Sequence, residues 1–62
     1  MADRYILEQA LRKEEELQRY YFAYCKRATA RELQEFLDRS CREGAQRVNF
    51  IKEELRKIPR GG

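Results

Sequence analysis

The sequence contains no histidine, a single proline, three glycines of which two are its last residues, and two cysteines. Without His, no Ser–His or Cys–His nucleophile pair is available, and no imidazole can ligate a transition metal. No Gly-rich phosphate loop is present. With so few Gly and Pro, little turn material is available. No apolar run approaches the roughly 20 residues that span a bilayer, and no signal-peptide pattern opens the chain. These absences lead us to expect a soluble, cytoplasmic protein, and they weigh against enzymatic activity.

What is present points to helices. Sixty-two residues make one small domain, below the size at which a single core is comfortably stable alone. Charged residues are 40% of the chain and hydrophobic ones 42%, a balance that suits helices with one apolar face. The net charge of +3 comes from 14 basic residues against 11 acidic ones. Basic and acidic residues are interleaved, as in Arg12-Lys13-Glu14-Glu15-Glu16 and Lys52-Glu53-Glu54. This describes solvated helix faces with i,i+4 pairs and argues against nucleic acid as a partner.

In chain order, Asp3 is a candidate N-cap for a helix over about residues 3–28. Asp3, Leu7, Ala10, Glu14, Leu17, Tyr21, Tyr24 and Ala28 recur at alternating spacings of four and three, a heptad stripe broken by one acid, Glu14. Ile6, Leu11, Phe22 and Cys25 widen its apolar face. Thr29-Ala30-Arg31-Glu32 matches a capping box and marks a second helix over about residues 30–58. There Leu33, Leu37, Ser40 or Cys41, Gly44, Val48, Ile51, Leu55 and Ile58 form one stripe, with Phe36, Glu43, Arg47 and Phe50 along the stripe beside it. Pro59 stops this helix at Ile58 and leaves residues 59–62 as a tail. The competing reading is one unbroken helix of some 55 residues.

A reversal near residue 29 makes an antiparallel hairpin in which level residues have numbers summing to about 57 or 58. Glu14 then falls level with Glu43 and Gly44, and the two inward acids share a layer. One hairpin cannot cover both apolar arcs. Burying a Leu- or Phe-sized side chain is worth roughly 1.5–3 kcal/mol, so self-association is expected. The fold class is therefore all-α: a two-helix hairpin over residues 1–62 that homodimerises into a four-helix bundle, or enters a higher oligomer. Its central layer holds two copies each of Glu14 and Glu43. Several carboxylates in a core require a metal ion, a basic side chain or protonation.

At this layer the chain resembles a known family. The run from Ala10 through Glu14 to Tyr21 is similar to the first helix of the rubrerythrin branch of the ferritin-like superfamily. The run from Phe36 through Glu43 to Gln46 resembles that branch's second helix, where a Glu-x-x-His pair supplies ligands. The likeness extends over about Ala10 to Leu55. It implies that Glu14 and Glu43 correspond to iron-ligating carboxylates and Tyr21 to the family Tyr. It also implies that this chain is one half of the usual four-helix domain. Gln46 stands where the His belongs, and a neutral amide oxygen is a weak ligand for iron.

The resemblance thus implies a degenerate site of Glu14, Glu43 and Gln46. Arg47, four residues after Glu43, can supply the positive charge and complete a polar layer of Glu14, Glu43 and Arg47. Such a layer fixes register and partner choice. The rival expectations are a four-Glu site holding a hard ion such as manganese or calcium through oxygen, a ferroxidase-type iron or manganese site assembled between subunits, and a register in which Glu14 or Glu43 simply reaches solvent. Gly44 reads as room for a large neighbour, such as a Tyr of the facing helix. Tyr21 and Tyr24 read as core and Tyr20 as partly exposed. Cys25 and Cys41 differ by about 12 Å along a hairpin at 1.5 Å per residue, too far to bridge within one chain. The expected role is structural or protein-binding, through a second copy or another protein.

Overall fold

The computed structural model describes residues 2–59 as two antiparallel helices, α1 (Ala2–Arg27) and α2 (Arg31–Lys57). They form a rod of 49 × 14 × 12 Å. Hairpin geometry replaces the single long helix that the absence of turn residues left open. Among the described residues, no helix is long and apolar enough to cross a membrane.

Helix α1 carries Asp3 in its first turn and Lys26 and Arg27 in its last, each charge opposing the helix dipole at its end. Asp3 thus lies inside the helix, which begins one residue before the expected cap. The chain reverses over Ala28, Thr29 and Ala30. The Ala28 amide still donates to Tyr24 O at 2.9 Å, and the Gln34 amide donates to Ala30 O at 2.9 Å.

Ala30, with φ −72° and ψ 128°, is the N-cap of α2, and no side-chain bond caps it. The capping box expected at Thr29 therefore does not form. A different side chain ties the turn. Gln34 Nε2, from the first turns of α2, donates to Ala28 O at 2.6 Å and satisfies a carbonyl left free where α1 ends. Cys25 Sγ lies 3.8 Å from Gln34 O on the same corner. At the far end Ile58 is extended (φ −96°, ψ 120°), as a residue before Pro prefers, and its amide donates to Leu55 O. Residues 60–62 of the expected tail lie outside the described residues.

The single chain has a thin core. Leu37, Val48 and Ile51 are the buried apolar side chains, at 6–7% exposure, and all three belong to α2. Gly44 is buried among them. Helix α1 buries no residue fully. Its half-buried line of Leu7, Leu11, Glu14, Gln18, Tyr21 and Cys25 is what it turns toward α2. Leu17 and Tyr24, expected at the centre of the α1 stripe, are instead exposed. The α2 stripe lies where its periodicity puts it, apart from Leu33 at the turn, which is exposed.

Candidate functional site: the Glu14–Arg47 pair on an open apolar face

Glu14 and Arg47 meet across the hairpin. Arg47 Nε donates to both carboxylate oxygens of Glu14, at 2.7 and 2.8 Å. The Glu14 side chain is 15% exposed and the Arg47 side chain 51%. The hydrogen bond to Glu14 is the main reason the Arg47 pKa is raised; the nearby charges of Glu14, Glu43 and Tyr21 add to the rise, and partial desolvation opposes it.

Glu14 thus meets Arg47, one helical turn beyond the expected partners Glu43 and Gly44. Arg4 Nη1 likewise reaches Ile58 O and Gln18 Cγ lies against Gly44, whereas the Gln18 amide reaches Cys41 O, nearer the expected register. Glu14 and Arg47 each lean toward their own N-terminus, and in an antiparallel pair the two leans converge, so their tips meet further along than a Cα-level register predicts.

Glu43 is exposed and makes no ion pair among the described residues, although its charge reaches Arg47. Gln46 is exposed as well. The hairpin therefore joins Glu14 with Arg47 and leaves Glu43 and Gln46 outside that contact. Among the described residues, no cluster of three or more His, Cys, Asp or Glu side chains has metal-binding geometry.

Gly44 accommodates a glutamine where a tyrosine was expected. A Cβ placed on Gly44 meets Gln18 Cγ at 3.1 Å, and the Gln18 amide donates to Cys41 O at 3.3 Å. No sequence pattern marked Gln18, because a lone Gln at an inward heptad position gives no periodic signal of its own.

Two features surround the pair. On one side of the hairpin, a quarter-turn from the buried stripe, α1 presents Ile6, Leu17, Tyr20 and Tyr24, and α2 presents Leu33, Phe36 and Phe50. All seven are exposed, and Tyr20 stacks on Tyr24 with ring centroids 6.2 Å apart. Glu43 and Arg47 project from α2 onto this same side. The opposite side is more polar. There Phe22 lies under Lys26 Nζ at 4.4 Å, and Cys41 lies beside Glu15, Gln18 and Arg19. Ion pairs at helical spacing, such as Arg4–Glu8, Arg42–Asp38 and Lys57–Glu54, decorate the solvated edges.

Comparison with family models, curated proteins and solved structures yields no match for this chain.

Proposed function

We propose that the chain is an assembly module: a hairpin that pairs with a second copy to complete a four-helix bundle of ferritin-like type. In it the Glu14–Arg47 pair stands where the resembled family keeps metal. The observation that carries this reading is the open face. Seven large apolar side chains lie exposed on one side of a rod that buries three. Apolar patches of that kind, rimmed by charge, mark protein–protein interfaces.

The direction of the α1 heptad stripe supports the same reading. Its centre, near Ala10, Leu17 and Tyr21, points between α2 and the open face. Each helix of a four-helix bundle directs its core residues along that diagonal, between its two neighbours. The stripe is rotated away from the contact a lone hairpin makes, and it suits a bundle.

The polar pair fits an organising role. Arg47 gives Glu14 two charge-assisted bonds, so this carboxylate has its counter-charge without a metal ion. Replacing Leu17 or Phe36 with Glu is expected to convert a dimer into monomers in sedimentation velocity. Each dimer then loses two apolar contacts, about 3–6 kcal/mol and more than a hundredfold in affinity. Phe22→Glu, on the opposite side, is expected to leave the dimer intact. Stoichiometric iron or manganese in protein purified without chelator, lost in Glu43→Ala, would replace this reading with a metal-binding one.

A further inference from the structure

We propose that the second copy stacks face to face with its turn at the opposite end of the bundle, each Arg47 bridging Glu14 of its own chain and Glu43 of the other. This rests on the assembly reading above and adds its geometry. Two groups in the hairpin are left with unused hydrogen-bonding capacity. Arg47 uses Nε for Glu14, which leaves both terminal guanidinium nitrogens, on a half-exposed side chain, for another acceptor. Glu43 is an exposed carboxylate on the same side, one turn away, with no ion pair among the described residues. A guanidinium can serve two carboxylates at once, because its donors fan out in a plane.

Two closed arrangements place the open faces together, and they differ in what meets these groups. With turns at the same end, α2 lies over the partner's α1 at equal height. By the contacts within the hairpin (Glu14 with Arg47, Gln18 with Gly44), Glu43 then sits over Leu17, and Arg47 over Lys13 as well as Glu14. Arg47 gains a second Glu14 there but also nears Lys13, and Glu43 faces an apolar side chain with no counter-charge. With turns at opposite ends, α2 runs antiparallel over its own copy. Glu43 then comes opposite Arg47 twice by symmetry, giving two equivalent pairs flanking the axis.

The test is a spin-label distance across the dimer. A Thr29→Cys label at the turn, in a chain carrying Cys25→Ala and Cys41→Ala, reads the arrangement directly, with helix content checked by circular dichroism. The expected separation is about 40 Å, one helix length; a separation on the order of 10 Å, one interhelix spacing, overturns the proposal and leaves the assembly reading standing. A monomer overturns both. The bridge has its own readout in the unlabelled chain. Glu43→Lys sets like charges together at both symmetric positions and is expected to weaken dimerisation at least tenfold, with the deficit shrinking at high salt. An unchanged dimer constant in Glu43→Lys overturns the bridge.

Discussion

Gly44 and Gln18 act as a pair. Gly in a helix interior costs about 1 kcal/mol relative to Ala, and here the room is used by Gln18 Cγ, 3.1 Å from where a Cβ would stand. Gly44→Ala alone is expected to be close to neutral, since the propensity gain is offset by displacing Gln18 from Cys41 O. In a Gln18→Ala background the same change is expected to stabilise by about 1 kcal/mol. A double-mutant cycle followed by urea unfolding measures that coupling; equal effects in both backgrounds would show that Gln18 is not what Gly44 accommodates. Cys41 has a raised pKa, chiefly from burial and then from the charges of Cys25 and Asp38. The folded chain therefore favours the neutral thiol. This contribution to stability is complete below the ordinary thiol range and is lost as pH rises through the folded value. Cys41 is accordingly expected to alkylate more slowly in the folded chain than in urea near pH 8, with stability falling above about pH 9.

The two helices and their ends show how far periodicity carries. The α2 stripe, the reversal near residue 29 and the stop before Pro59 were legible, because each depends on local spacing or on one residue's geometry, whereas the α1 stripe is rotated from the line it turns toward α2. The device that holds the turn was not. Thr29-Ala30-Arg31-Glu32 has the form of a capping box, yet Ala30 occupies the cap position and Gln34 reaches back over the reversal to Ala28 O. A contact of that kind depends on where the chain goes after it turns, which a local motif does not encode. Thr29→Ala is therefore expected to change thermal stability by only a few tenths of a kcal/mol, well under the roughly 1 kcal/mol of a lost cap. Gln34→Ala is expected to cost about 0.5–1 kcal/mol, the net worth of one hydrogen bond. The reverse order would restore the capping box.

At the scale of the whole molecule, the site was half legible. Glu14 stood out as the lone acid in an apolar stripe, and Arg47 as its source of charge. That Arg47 reaches Glu14 across the hairpin, while Glu43 and Gln46 stay exposed, follows from the lean of side chains toward their own N-termini. A register counted on backbone positions misses that lean. The exposed face, in contrast, follows from the sequence and persists in the fold, because two helices cannot enclose the apolar arc that four can. Sedimentation equilibrium of the unmodified chain at micromolar concentration tests this most directly. The account predicts a mass twice the 7.5 kDa of one chain, and a homogeneous 7.5 kDa species would contradict it.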